Sequence, residues 1–264
     1  MTVLTDKIII EKSNGIGRFI FNQPDKHNAI SFEMWQGISR AMDDFSADDS
    51  VRVIVLSGAG TKAFSAGADI SQFAEQRASK DGVDVYDGAA LKAENDLMHL
   101  NKPTIAMIQG YCIGGGAGVA LCCDLRIASE DARFGIPAAK LGLAYSWDEV
   151  YPLVQLVGPS FAKEILFTGR QFSAEEALNM GLVNRVVARA DLESCVDEYA
   201  ERIAANAPLT VRTAKRTIAE ASKDPADRDL ATVQALVDEC FASEDYAEGR
   251  KAFMEKRKPA FKGR

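Results

Sequence analysis

The apolar positions of this chain fall into short runs over its first two thirds and into helical stripes toward its end. Ile8-Ile9-Ile10 and Gly17 to Asn22 flank Ser13-Asn14-Gly15, a pattern that predicts a β-hairpin closed by an Asn-Gly turn. Ser31 predicts the N-cap of a helix to about Phe45, with Met34, Ile38, Met42 and Phe45 on one face. Val51 to Leu56 reads as a buried strand that leads through Ser57-Gly58 into Phe64-Ser65-Ala66-Gly67-Ala68-Asp69. Residues 70 to 100 are more polar and predict a mobile stretch followed by a helix from Ala89 to Leu100. Pro103 to Gly110 and Leu125 to Ala128 predict two more buried strands. Between them lie the turn Gly110-Tyr111-Cys112-Ile113-Gly114-Gly115-Gly116 and an apolar helical stretch from Ala117 to Cys123.

Strand–turn–helix–strand units in succession imply an α/β core. Ser173-Ala174-Glu175-Glu176 has the form of a capping box opening a further helix, and Gly181 follows its end. Beyond about residue 191 the strand signals stop. Helical patterns then run to Lys258, with Pro208 and Pro225 as breaks. The chain is therefore expected to divide into an α/β core over 1–190 and an α-helical module over 191–264.

A chain of 264 residues can bury a large core. Its 47% hydrophobic and 26% charged residues are those of an ordinary globular protein. The net charge of −7 offers no basic excess to neutralise phosphates, which argues against nucleic acid as the main partner. No apolar run approaches the ~20 residues of a membrane span, and the N-terminus lacks the layout of a signal peptide. The expected location is the cytoplasm. The five cysteines are odd in number, with Cys122 and Cys123 adjacent, and only two histidines accompany them. No metal-ligand spacing appears, so reduced, buried thiols and no metal are expected. His99 reads as structural.

Chemistry enters with the two glycine-bearing segments. Small residues at strand exits let the backbone approach a ligand with N–H groups free to donate. Two such donors meeting at one point form an oxyanion hole, which stabilises an enolate or a tetrahedral oxyanion. The phosphate-cradling alternatives fail on the residues. Val119 stands where a dinucleotide fingerprint starting at Gly114 needs its third glycine, and no Lys-Ser/Thr completes a P-loop after Gly110.

The joint spacing of these segments resembles the crotonase family, the enoyl-CoA hydratase/isomerase superfamily, over essentially the whole chain. Matching stretches are Pro24-x-Lys26-x-Asn28-Ala29-Ile30, Phe64 to Ile70, and Gly110-Tyr111-x-x-Gly114-Gly115-Gly116. Further matches are Cys123 to Ala128, Ala177-Leu178-x-x-Gly181-Leu182-Val183, and Phe253-x-Glu255-Lys256-Arg257-Lys258. The resemblance implies a spiral core of repeated ββα units with a C-terminal helical oligomerisation module, forming trimers or dimers of trimers. It implies that the backbone N–H groups of Ala68 and Gly115 bind the thioester carbonyl of an acyl-CoA substrate as it becomes an enolate. It also implies Lys26, Ala66, Asp69 and Ile70 around coenzyme A, with Phe253 and Lys256 reaching in from a neighbouring subunit. Coenzyme A is part of the substrate, and no separate cofactor is implied.

The chain departs from its family where the proton-transfer groups should be. Family hydratases carry two glutamates, and their positions are occupied here by Gly118 and Ala138. Hydratase chemistry by the two-glutamate route therefore lacks its groups, and ordinary isomerase chemistry lacks the second. The segment Leu143 to Glu149 replaces a Gly-rich stretch common in hydratases. Tyr145 falls where methylmalonyl-CoA decarboxylases of the family carry an active-site tyrosine, although those enzymes have histidine at the position of Ala68. Asp148 and Glu149 are the rival acid–base candidates, or else helix N-terminal acids favouring the dipole. Three readings follow: an enolate-stabilising acyl-CoA enzyme using Tyr145, Asp148 or Glu149; a decarboxylase of a malonyl-type thioester using Tyr145; and a non-catalytic acyl-CoA-binding protein.

Overall fold

The computed structural model describes residues 5–72 and 80–264. Strands β1 (Ile8–Ser13) and β2 (Ile16–Phe21) form the expected hairpin, with Ser13 opposite Ile16. Asn14 and Gly15 take positive φ of 51° and 81°, the handedness a two-residue hairpin turn demands. Helix α1 (Phe32–Ala47) follows and buries Met34, Ile38, Met42 and Phe45. Ser31 is its first flanking residue, but the Ser31 hydroxyl is buried without a partner among the described residues. The helix starts there by backbone conformation, not by a side-chain cap.

Three repeats build the core. The first is β3 (Val53–Gly58), β4 (Ala63–Ser65) and α2 (Lys80–Met98). The second is β5 (Thr104–Ile108), β6 (Tyr111–Ile113) and α3 (Gly115–Cys122). The third is β7 (Leu125–Ser129) and β8 (Arg133–Gly135), with α4 (Ala138–Leu141) and α5 (Trp147–Thr168), the last broken at Gly158. Then come β9 (Phe172–Ser173), α6 (Ala174–Asn179) and β10 (Arg185–Val187). The first strand of each repeat joins a six-stranded sheet ordered β1-β2-β3-β5-β7-β10, and the second joins a four-stranded sheet ordered β4-β6-β8-β9. The repeats pair in parallel, so each advances both sheets by one strand. This is a spiral of ββα units, a crotonase-type fold.

One local expectation needs correction. Helix α2 begins at Lys80, well before Ala89, because its first turns carry exposed Asp81, Asp84 and Val85 and show little apolar periodicity. Residues 73–79 of the expected mobile stretch lie outside the described residues. The three-residue strands of the second sheet gave no separate signal, since a period of two needs more length than that to register.

Helices α7 (Leu192–Ala205), α8 (Pro208–Ala221), α9 (Leu230–Ala242) and α10 (Glu244–Met254) complete the chain. Pro208 opens α8 at its first turn, where its missing N–H costs nothing. Leu192, Val196, Ala200 and Ala204 of α7 bury against Ile16, Val53, Val55, Ile105 and Ile127 of the larger sheet. The opposite face of that sheet meets α1 and α2 through Phe19, Phe21, Ile54, Leu56 and Ile108. By packing, therefore, α7 lies against the larger sheet of the α/β core. Among the described residues no helix is long and apolar enough to cross a membrane.

Val196 is fully enclosed in this layer. Val196→Asp should lower the stability of the α/β core by more than about 3 kcal/mol in denaturant titration, because it puts a charge against five apolar sheet residues. A loss confined to the last three helices would show that α7 packs less firmly than its burial indicates.

Candidate active site

Strands β4 and β6 pair in parallel, Ala63 with Tyr111 and Ser65 with Cys112. Their C-terminal ends therefore stop side by side, delivering Ala66-Gly67-Ala68 and Gly114-Gly115 to one spot. The Ile30 N–H donates to Gly67 O at 2.7 Å and the Asp69 N–H donates to Ile30 O at 2.9 Å. These bonds straddle Ala68 and leave its own N–H unused. Among the described residues neither the Ala68 nor the Gly115 N–H donates a hydrogen bond. A Cβ on Gly115 would lie 3.6 Å from the Ala68 nitrogen and 3.1 Å from Cζ2 of Trp35. Gly67 takes φ of 99°, and a Cβ there would come 2.8 Å from Ile113 O. The positive φ and the Ile113 O contact require glycine at 67, and a Cβ at 115 would press on Trp35.

Gly115 opens α3, whose partial positive N-terminus favours an anion. Buried Arg126 from β7 holds the other end of α3, donating to Ala120 O and Cys123 O, and also donates to Leu182 O. A cation at the helix C-terminus complements the dipole while fixing the helix in place.

The two amides face a cavity of about 470 Å³. Ala66, Ala68, Ile70, Gly115, Tyr145, Asp148 and Glu149 all stand on its wall, as do Gly118 and Ala138. Asp148 is exposed at its rim. The Glu149 carboxylate accepts the Ser146 N–H at 2.7 Å and the Ser146 hydroxyl at 2.9 Å, so it acts as a cap for α5. Tyr145 is half-buried, and its hydroxyl has no hydrogen-bond partner among the described residues. Burial first, then the negative charges of Glu149 and Glu94, push its phenol well above the usual range, so it stays neutral.

Lys26 and Asp69 do not line this cavity but pair with each other, Nζ to Oδ2 at 2.9 Å. Burial alone would raise the Asp69 carboxyl. The Ser71 hydroxyl and the Lys26 ammonium outweigh it and hold the group below the usual carboxylate range. Asp69 thus positions Lys26, whose side chain is half-exposed. Phe253 and Lys256 are not on the wall within one subunit; Phe253 lines a separate cavity among α8, α9 and α10. His99 is exposed, with Nδ1 2.9 Å from Asn95 O, and is not on the wall.

One wall residue was not anticipated. Glu94 projects from α2, and a Cβ built on Gly118 would lie 2.5 Å from its Oε1. Burial, and secondarily the charge of Glu149, push its carboxyl from an ordinary 4.5 up to about 8. What accessible surface it keeps belongs to the cavity wall. A signal for it existed in the sequence: Asp87, Leu91 and Glu94 follow i, i+4, i+7 spacing beside the buried stripe Tyr86, Ala93, Leu97.

The spiral of ββα units brings two strand-end amides, those of Ala68 and Gly115, to the wall of one cavity. Comparison with known proteins gives the family. Residues 11–264 match the family model described as "Enoyl-CoA hydratase/isomerase", and the chain belongs to that family. It is 36% identical over 263 residues to the short-chain-enoyl-CoA hydratase of Clostridium acetobutylicum, covering 98% of this chain and 99% of that one. It is 34% identical to the crotonyl-CoA hydratase of Syntrophomonas wolfei, covering 97% and 98%. A crystal structure of an enoyl-CoA hydratase/carnitine racemase from Magnetospirillum magneticum superposes with a TM-score of 0.92 at 38% identity, covering 98% and 97%.

The raised carboxyl has a measurable consequence. Between pH 4.5 and about 8 the folded chain keeps a proton on Glu94 that the unfolded chain has lost. Stability therefore falls as pH rises through that window and levels off above it. Because each tenfold change in proton affinity corresponds to about 1.4 kcal/mol, the cost is on the order of a few kcal/mol at most. Glu94→Gln should remove this slope, raising the thermal midpoint at pH 8 and leaving it nearly unchanged at pH 4. Parallel stability curves for the two proteins from pH 4 to 8 would refute the buried acid.

Proposed function

We propose that this protein binds an acyl-CoA thioester with its carbonyl oxygen between the Ala68 and Gly115 amides and stabilises the enolate that forms there. The two adjacent N–H groups at the head of α3, unpartnered among the described residues, carry this reading. An enolate places a full negative charge where a ground-state carbonyl has only a partial one, so fixed donors bind it better than the substrate and lower the barrier. Coenzyme A would follow Ala66 and Ile70, with Lys26, held by Asp69, offering a cation to its phosphates in an otherwise anionic protein. Phe253 and Lys256 would complete that surface from a second subunit. The exposed Phe241, Phe253 and Met254 of the last helices support self-association there into trimers or dimers of trimers.

Hydration of a short 2-enoyl-CoA is the first reaction to expect, as in the named relatives, but without carboxylates at Gly118 and Ala138. One observation favours a second reading. Tyr145 places a neutral phenol, its hydroxyl unpartnered among the described residues, on the cavity wall, where it could hold a substrate carboxylate and later protonate carbon, as a malonyl-type decarboxylase needs. Against it, the described wall carries Asp87, Glu94, Asp148 and Glu149 and no lysine, arginine or histidine. A second anionic group on the acyl chain would meet acids rather than a cation, so the neutral 2-enoyl substrate is the better fit.

Crotonyl-CoA and methylmalonyl-CoA, offered side by side with enoyl absorbance and CO₂ release both followed, separate these readings. Loss of the enoyl absorbance without CO₂ is expected. CO₂ release that Tyr145→Phe abolishes would favour the decarboxylase. Thioester binding with no turnover would leave a binding protein. In whichever reaction is found, Gly115→Ala should lower kcat by roughly 10²–10³, because its methyl presses on Trp35 and displaces one donor. A near-unchanged kcat would remove Gly115 from the mechanism.

A further inference from the structure

We propose that Glu94 is the proton-transfer group of this site, exchanging a proton with the α-carbon of the bound thioester; the assignment rests on the thioester reading above. Gly115 and Gly118 are three residues apart on α3 and both stand on the cavity wall. Side-chain positions at that spacing lie on one helix face, roughly 5–6 Å apart. Gly118 has no side chain, and the Glu94 carboxyl from α2 fills the space a Cβ would enter, 2.5 Å from its Oε1. The carboxyl therefore sits about one turn along α3 from the Gly115 amide. An α-carbon two bonds from a carbonyl oxygen held at Ala68 and Gly115 would lie within reach of that carboxyl.

The other acids of the wall are less available. Glu149 is committed to capping α5, Asp148 lies at the exposed rim, and Asp87 is already engaged with a partner. No hydrogen bond or ion pair from the described residues engages the Glu94 carboxyl. A buried carboxyl without a partner costs stability, and such groups cluster where chemistry needs them. Burial and the Glu149 charge bring it to about 8, so both protonation states are accessible near neutral pH, as a general acid–base requires.

The step balances without a further reagent. As a base, Glu94 takes the α-proton; the C–H pair moves into the enolate, whose charge rests on the oxygen between the two amides. As an acid, the Glu94 O–H bond breaks, a C–H bond forms at the α-carbon, and the charge returns to the carboxylate. In D₂O the carboxyl proton exchanges with solvent between these events, so deuterium enters the α-position.

The test uses butyryl-CoA, which can exchange its α-protons but has no double bond to hydrate. Calorimetry reads its binding and mass spectrometry reads deuterium uptake in D₂O. Wild type is expected to bind and to exchange. Glu94→Gln, nearly the same shape, should bind within a few-fold and exchange roughly 10²–10⁴-fold more slowly. Glu94→Ala should be as slow, and adding Gly118→Glu to it should restore part of the rate by supplying a carboxyl from α3 instead. Exchange that persists in Glu94→Gln overturns the role of Glu94 while leaving the thioester reading standing. So does a wild type that binds without exchanging, or exchange lost only in Tyr145→Phe. Failure of wild type to bind any thioester overturns the reading itself, and Glu94 with it.

Discussion

The site depends on the parallel register of two three-residue strands. Pairing Ala63 with Tyr111 and Ser65 with Cys112 makes both chains leave the sheet at the same end; an antiparallel pair would send its exits to opposite ends. Strands this short do not hold their register alone, and the surrounding bonds supply it. The Asn28 amide donates to Ala59 O at 2.9 Å and Ala63 O at 2.8 Å. The Phe64 N–H donates to Gln109 O, the Tyr111 N–H to Lys62 O, and the Ala66 N–H to His27 O. Phe64 and Cys112 are fully buried. Sliding either strand would break this set together, which is why two backbone N–H groups can be held unpaired at a fixed separation.

Helix α3 converts that local register into a site with depth. Its first residue supplies one amide and its dipole, and Gly118 opens the wall one turn later. Arg126 ties its far end to β7 and to Leu182. The strand pair and the helix are thus one mechanical unit. The acids gathered around it set the chemistry. Asp87, Glu94, Asp148 and Glu149 share the wall with no lysine, arginine or histidine among its described residues, and burial together with the Glu149 charge keeps the Glu94 carboxyl protonated longer.

Much of this was legible in the chain. The hairpin, α1, the three long strands, the glycine turn and the helical end followed from period and turn chemistry, and the family followed from ordered motifs across both halves. The second sheet did not, because three residues such as Tyr111–Ile113 carry no measurable period. The start of helix α2 is hidden in the pattern because its first turns face water. At the site, Ala68, Gly115, Tyr145, Asp148 and Glu149 meet on one wall, but Glu94 went unseen. Its importance lies in a contact with Gly118, twenty-four residues away on another helix. The helical spacing of Asp87, Leu91 and Glu94 puts Glu94 on one face with its neighbours, but does not report that contact.

That contact also changes the meaning of the family departure. Read along the chain, Gly118 is a catalytic carboxylate lost. Read in space, the glycine is what admits the Glu94 carboxyl, since a Cβ there and Oε1 cannot occupy points 2.5 Å apart. The two positions are coupled, and substitutions at one cannot be understood with the other held fixed. Even Gly118→Ala, the smallest change, would displace Glu94 from the face it shares with the Gly115 amide. A carboxyl in this part of the cavity can come from α3 or from α2, and any side chain at position 118 must share its space with the tip of Glu94.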